Sequence, residues 1–293
     1  MSDSAATFEP HRARLLAVAY RMLGSYAEAE DAVQDTFLRW HQSDREDVAD
    51  ARAFLTTVVS RIALDRLGSA RARRESYVGA WLPEPVLDQQ VPSPEVLTEY
   101  AEDLSMALLV TLERLSPLER AAFLLHDVFD LGFDDVAETL GRSADAIRQL
   151  AARARAHVHG HAPRFAAAPA ASRRLAERFE AAVLTGDLAG LATHLAEDVV
   201  LYSDAGGKKR AALNPIYGRD KVMRFFAGVA PKHAPVNAET LCAVTLNGMP
   251  GFLLRDHDGS IETAVLDVRD GSIVSIYLVR NPDKLGHITW PAR

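Results

Sequence analysis

Apolar positions recur at helical spacing through the first half of the chain and give way to alternation near its end. Leu15, Leu16, Ala19, Met22 and Leu23 form a first stripe, closed by Gly24 and Ser25. From about Ala27 a second helix is predicted to bury Val33, Phe37 and Trp40, leaving Asp31, Gln34, Asp35 and Leu38 together on another face. A polar loop, His41 to Asp50, precedes a third helix beginning near Ala51 with Phe54, Leu55, Val58, Val59, Ile62 and Ala63 inward. Its other side carries Arg52, Arg61 and Arg66, and the basic run Arg71, Arg73 and Arg74 follows Gly68.

The stretch from Phe133 to Val158 reads as two short helices around a tight turn. Val136, Ala137 and Leu140 share one face, Gly141 supplies a permissive stop, and Ser143 is suited to cap the next helix. That helix buries Ile147, Ala151, Ala154 and Val158, so Arg148, Gln149, Ala152, Arg153 and Arg155 face outward or flank it. This is the pattern of a helix-turn-helix whose second helix enters a DNA major groove. A surface hairpin with solvated arginines has the same spacing, and the arginines of the third helix equally fit a plain solvated face. Arginines along a face suit phosphates, and Arg or Gln on the second helix suits guanine or adenine edges.

Between these regions Gly79 to Tyr100 carries four prolines and no sustained period, the composition of an extended linker. Trp81, Leu82, Val86 and Leu87 are too apolar for an idle tether, so part of it is expected to lie against a surface. After Val158 an Ala- and Pro-rich stretch marks another linker; the alternating His157, His159 and His161 lack a carboxylate or cysteine to complete a metal site. From about Ser172 helices precede strand candidates at Glu239 to Leu246, Gly251 to Asp256, Ile261 to Val268 and Ile273 to Val279. That order predicts an α+β domain with a curved antiparallel sheet.

Composition refines the picture. At 293 residues the chain is long for one domain, and 48% hydrophobic with 25% charged residues is ordinary for a soluble protein. With no run of eighteen apolar residues and a polar, acidic start, a cytoplasmic protein with no membrane contact is expected. The lone Cys242 excludes an internal disulfide and a cysteine zinc site, and no cofactor is implied. Against a net charge of -7, four arginines from Arg142 to Arg155 form a local basic face, which favours directed contact with DNA over general polyanion coating.

Taken together, RLLAVAYRMLGSYAEAEDAVQDTFLRW and DARAFLTTVVSRIALDRLGSARARR resemble region 2 of bacterial extracytoplasmic-function (ECF, group IV) sigma factors. LERLSPLERAAFLLHDVFDLGFDDVAETLGRSADAIRQLAARARAHV resembles their region 4. Trp81-Leu82-Pro83-Glu84-Pro85, Asp204-Ala205-Gly206-Gly207-Lys208 and Asn281-Pro282-Asp283-Lys284-Leu285 are similar to motifs of the sigma J-like subgroup, which carries a C-terminal SnoaL-like domain. Ala205 departs from a glycine there, which matters if that position needs a positive φ.

The resemblance implies a multidomain fold: two all-α domains, a region 2 bundle and a region 4 helix-turn-helix, plus a C-terminal α+β NTF2/SnoaL-like cone. Expected boundaries are 1–78 for region 2, 79–100 for the linker, 101–161 for region 4, 162–171 for a second linker and 172–293 for the cone. It implies an RNA polymerase specificity subunit without catalysis of its own, recognising a bipartite promoter. Asp31, Gln34, Asp35 and Leu38 would dock on the clamp helices of the polymerase large subunit, and region 4 on its flap. The loop His41 to Asp50 would capture a flipped minus-ten base, and Arg52, Arg61 and Arg66 would hold the opened strand. Arg142, Ser143, Arg148, Gln149, Arg153 and Arg155 would contact the minus-thirty-five element. Trp81, Leu82, Pro83, Glu84 and Pro85, with Asp204 and Asn281 to Leu285, would carry regulation by the C-terminal domain.

Such a cone encloses a pocket, which admits a small-molecule ligand or, alternatively, catalysis by a domain fused to a DNA-binding module. The acid and base candidates are Tyr202, Asp204, His257 and Asp267, each of which also has a plain turn or surface explanation.

Overall fold

The computed structural model describes residues 3–43, 48, 50–88, 105–161, 169–229, 236–237 and 239–291. They form two compact units: one runs through Ser76 and resumes at Leu108, and the other holds residues 77–88, 105–107 and the C-terminal region.

In the first unit α1 (Asp3–Leu23), α2 (Tyr26–Gln42) and α3 (Ala51–Glu75) pack on one another. Gly24 takes φ 67 between α1 and α2, and its N–H closes on Tyr20 O. Ser25 and Asp50 cap α2 and α3 by accepting from Glu28 N and Ala53 N. The predicted stripes are buried: Leu15, Leu16, Ala19, Met22 and Leu23 on α1, Val33 and Trp40 on α2, Leu55, Val59, Ile62 and Ala63 on α3. Phe37, Phe54 and Val58 are only half-buried. Helix α2 runs through His41 and Gln42, so the predicted loop starts later, and most of it lies outside the described residues.

The same unit contains α4 (Met106–Leu112), which begins in the residues assigned to the other unit, and α5 (Pro117–Phe123), which continues as a π-helical turn, Leu124–Val128. Ser116 and Glu119 form a reciprocal capping box before α5. Then come α6 (Phe133–Leu140) and α7 (Ala144–His161), joined by Gly141 at φ 62. Ser143 Oγ accepts from Ala146 N, and Ile147, Ala151, Ala154 and Val158 are buried as their spacing predicts.

The second unit contains α8 (Pro169–Thr185), α9 (Leu188–Thr193), β1 (Leu195–Asp204), β2 (Ile216–Tyr217) and α10 (Arg219–Val229). Strands β3 (Leu241–Leu246), β4 (Met249–Arg255), β5 (Ile261–Arg269) and β6 (Ser272–Val279) complete a six-stranded sheet of order β2-β1-β6-β5-β4-β3. It is antiparallel except for β1 and β6, which run parallel with Tyr202 opposite Tyr277. That pair makes the sheet mixed, because β1 reaches β6 across the whole intervening hairpin series. Asn247-Gly248 and Asp270-Gly271 turn β3 into β4 and β5 into β6 with all four φ positive, the geometry that matches strand twist in two-residue hairpins.

The helices cover one sheet face. Leu175, Phe179, Leu191, Leu201, Val222, Phe252, Leu266 and Ile276 meet there in an apolar core, with Phe179 stacked on Phe252 at 5.8 Å. Strand alternation puts Tyr202, Asp204, Asp267 and Tyr277 on the opposite face. Among the described residues no helix is long and apolar enough to cross a membrane.

Candidate nucleic-acid interface and linker socket

The outward side of α7 presents Arg148, Gln149, Ala152 and Arg153 to solvent. Arg148 donates through Nη1 to Asp145 Oδ1 at 2.6 Å and stands 5.4 Å from the Phe133 ring centroid. Arg153 and Arg155 reach back to the scaffold, each through Nε, to Glu119 at 3.0 Å and Asp127 at 2.5 Å. Burial works to raise the Glu119 carboxyl, but hydrogen bonds from Ser116 and the Arg153 guanidinium hold it below its ordinary pKa. Arg142 and Ser143 sit exposed at the turn, where Ser143 is spent on the cap.

On α2, Asp31, Gln34 and Leu38 are exposed, Leu38 by 47% despite being apolar. Asp35 is half-buried because Arg66 grips it at 2.6 Å; the same guanidinium donates to Glu28 O and lies 3.8 Å from Asp31. Arg52, Arg61 and Arg66 therefore differ in surroundings. Arg52 is exposed, Arg66 ties α3 to α2, and Arg61 donates to Thr139 O at 2.8 Å and Glu138 O at 2.9 Å. Those carbonyls end α6, where a cation is favoured by the helix dipole and by groups lacking partners within the helix. Thr57 Oγ1 lies 3.1 Å from Thr139 Oγ1, so the Thr57 and Arg61 side of α3 abuts the helix-turn-helix.

Buried and half-buried arginines complete this contact within the first unit. Arg14 donates to Phe129 O at 3.0 Å, and both Arg14 and Arg21 lie against the Phe129 ring. Arg120, 2% exposed, donates to Leu112 O and Met22 O and pairs with Glu113 at 2.8 Å. Arg74 bonds Glu113 and Leu23 O. Polar groups thus join α1 and α3 to the segment from α4 to α6. Neither periodicity nor composition announces it, because Arg21 and Arg120 look like surface residues until the two helical groups meet.

In the second unit the linker motif is seated on the C-terminal domain. Asp204, fully buried at the end of β1, accepts from Tyr77 Oη, from Leu82 N at 2.8 Å and from Lys284 Nζ at 2.7 Å. Lys284, 6% exposed, also donates to Leu82 O and lies 3.9 Å above the Trp81 ring. Asn281 donates to Tyr77 Oη at 2.8 Å and caps the single turn Pro282–Lys284. Burial and then the Asp204 carboxylate push the Tyr77 phenol above its ordinary pKa. Asp283 pairs outside with Lys208, Leu285 is buried, and His287 donates to Pro85 O.

Leu82, Val86 and Leu87 are buried, and Glu84 is 8% exposed. The β3–β4 hairpin tip holds the far end of the motif: Asn247 Oδ1 accepts from Val86 N, Asn247 N donates to Val86 O, and Gly248 N donates to Asp88. Tyr77, Asn247, Gly248 and His287 were not singled out by sequence. The Asn-Gly pair between alternating strands signals a hairpin, but nothing in it signals a linker partner.

The motif Asp204-Ala205-Gly206-Gly207-Lys208 resolves position by position. Ala205 is buried with no positive φ, so alanine fits. Gly206 has φ 57, and a Cβ there would lie 2.5 Å from Asn281 Nδ2 and 2.8 Å from Tyr77 Oη. Lys209 then fixes the loop through Asp256, Asp258 and Glu262, at 3.1, 3.3 and 3.4 Å.

None of the acid and base candidates faces the apolar core. Tyr202 stacks on Tyr277 at 5.4 Å, and Asp267 on the same face pairs with Arg269 at 2.6 Å. Burial raises the Asp267 carboxyl, an effect Arg269 opposes. Asp204 is engaged in the socket and His257 is exposed in the β4–β5 turn. Among the described residues no group of His, Cys, Asp and Glu is arranged to hold a metal; of the three alternating histidines, only His157 has a described side chain.

Comparison with known proteins agrees in order and extent. Residues 7–73 match Sigma-70 region 2 and residues 105–158 match Sigma-70 region 4. The ECF RNA polymerase sigma factor SigJ of Mycobacterium tuberculosis is 43% identical across 94% of this chain and 91% of its own length. SigI of the same species is 32% identical over 96% of this chain and 94% of that protein. The crystal structure of SigJ superposes with a TM-score of 0.80 at 38% identity, covering 96% of this chain and 98% of that one.

Proposed function

Because this chain belongs to the extracytoplasmic-function sigma factors, which direct RNA polymerase to promoters, we propose that it alternates between a closed free form and an open promoter-bound form. The observation that carries this reading is Arg61. Its guanidinium, a group suited to phosphates, is spent on the carbonyls of Thr139 and Glu138. Minus-ten and minus-thirty-five elements lie about twenty-five base pairs apart, roughly 85 Å at 3.4 Å per base pair. Helices α3 and α6 in contact cannot reach both.

In the open form Arg52 and Arg61 hold the melted strand, Arg66 keeps α3 on α2, and α7 reads the upstream element. Asp31, Gln34 and Leu38 form the face for the polymerase clamp helices, with Asp35 held by Arg66, and region 4 meets the flap. A cytoplasmic site of action follows from such partners.

The C-terminal domain biases this equilibrium through the linker. Residues 77–88 directly follow the last helix of region 2, and their seating on Asp204, Asn247 and Lys284 supports a role in fixing where the chain leads next. A domain that favours one arrangement shifts the population by its differential contact energy. The apolar core between helices and sheet offers a ligand hydrophobic rather than ionic contacts, and Tyr202, Asp204, His257 and Asp267 lie away from it, which speaks against fused catalysis.

Run-off transcription with core polymerase tests the reading. Full-length chain, a chain ended near Pro169 and one lacking the last dozen residues are expected to differ severalfold in transcript from one promoter. Equal yields from all three would remove the C-terminal domain from the account.

A further inference from the structure

We propose that Asp145 and Phe133 are positioning residues that make Arg148 a guanine reader, whereas Arg153 and Arg155 anchor the recognition helix to its scaffold. The inference rests on region 4 reading the upstream promoter element and divides its arginines by function. Arg148 is bonded within its own helix, to Asp145 in the first turn, so the pair enters a groove together. Its guanidinium also lies against Phe133, the first residue of α6, whose ring stacks on His126 at 3.8 Å. Arg153 and Arg155 instead bond Glu119 in α5 and Asp127 in the turn after it, across the packing that holds α7 in place.

Two features make the distinction chemical. With Nη1 on Asp145, the Arg148 fork is held in one plane while Nη2 and Nε remain to donate side by side, the arrangement that matches guanine O6 and N7. Biasing a long side chain beforehand also removes part of the ordering entropy otherwise lost on binding. The Asp145 carboxylate, whose side chain is 87% exposed, repels phosphates and so weakens contact with DNA of any sequence. Asp145 should therefore improve discrimination while lowering general affinity, a combination that a merely structural residue would not give.

The test is transcription by core polymerase with the full chain on a promoter library randomised across the upstream element. The native chain should select guanine at one position, and Arg148→Ala should erase that preference by on the order of tenfold. Asp145→Ala, which removes the acceptor for Arg148 and leaves the Ser143 cap in place, should flatten the same preference severalfold while binding to unrelated DNA stays equal or strengthens. Phe133→Leu should flatten it with unchanged general affinity. Arg153→Lys should lower output on all sequences alike. Asp145→Ala weakening every sequence equally, or Arg148→Ala leaving every base preference intact, would overturn the assignment. A native chain that selects no upstream base would instead overturn the region 4 reading, and this inference with it.

Discussion

Lys284→Met is expected to release the linker from the C-terminal domain. Asp204 has no solvent exposure, and its charge is balanced by Lys284 at 2.7 Å. Removing one member of a buried pair leaves an uncompensated charge and typically costs about 3–5 kcal/mol. The loss should concentrate on the seat of the linker, because the same ammonium binds Leu82 O and lies against Trp81. Hydrogen exchange in a peptide spanning Trp81 to Asp88 should accelerate by at least a hundredfold, while the α8 core remains protected. Asp204→Asn alone should cost less, since the amide oxygen can still accept from Leu82 N. The double variant should be milder than the two single costs added, because neither charge is then stranded. Protection of Leu82 and Val86 amides unchanged in Lys284→Met would show that the pair does not hold the linker.

Asp31→Lys with Leu38→Asp is expected to abolish binding to core polymerase without unfolding the first unit. Both residues are exposed on α2, and neither is among its buried side chains. Hot-spot residues contribute about 2 kcal/mol or more each, so a charge reversal beside an apolar-to-acid change on this face should weaken association by about a hundredfold or more. Asp35→Lys is a poorer probe, because it would also confront Arg66 at hydrogen-bond distance. Pull-down of core polymerase, with circular dichroism to verify helicity, reads the outcome; retention equal to the native chain would reject this face.

Much of this architecture was legible from periodicity. Ile147, Ala151, Ala154 and Val158 are buried as spaced, and the four strand candidates lie within a residue or two of β3 to β6. Short-range signals suffice there, since period and capping act within one element. What sequence left open was set by distant partners. The two-residue strand β2 has no periodicity to detect, and the parallel pairing of β1 with β6 depends on the whole chain between them. Arg66 falls on the same side of α3 as Arg52 but Arg61, nine residues on, falls on the opposite side, and the two are bonded to different neighbours. The concern over Ala205 dissolved for the same reason: the positive φ values begin one residue later, at Gly206.

The linker shows both sides of this. Its apolar residues announced a surface to lie on, and the matched motifs at Asp204 and Asn281 to Leu285 proved to be part of that surface. Asn247 and His287 complete it through contacts that follow only from the sheet's register and the path of the C-terminal turn.

The central claim is that regions 2 and 4 are clasped in the free chain and separate on promoter DNA. Dyes at Asp65→Cys and Asp134→Cys, exposed positions about one turn from the Arg61 contact on α3 and α6, report it in a Cys242→Ser background. Energy transfer should be near complete in the free chain and nearly absent once core polymerase and promoter are bound, when the elements lie tens of ångströms apart. Equal transfer in the two states would contradict the account.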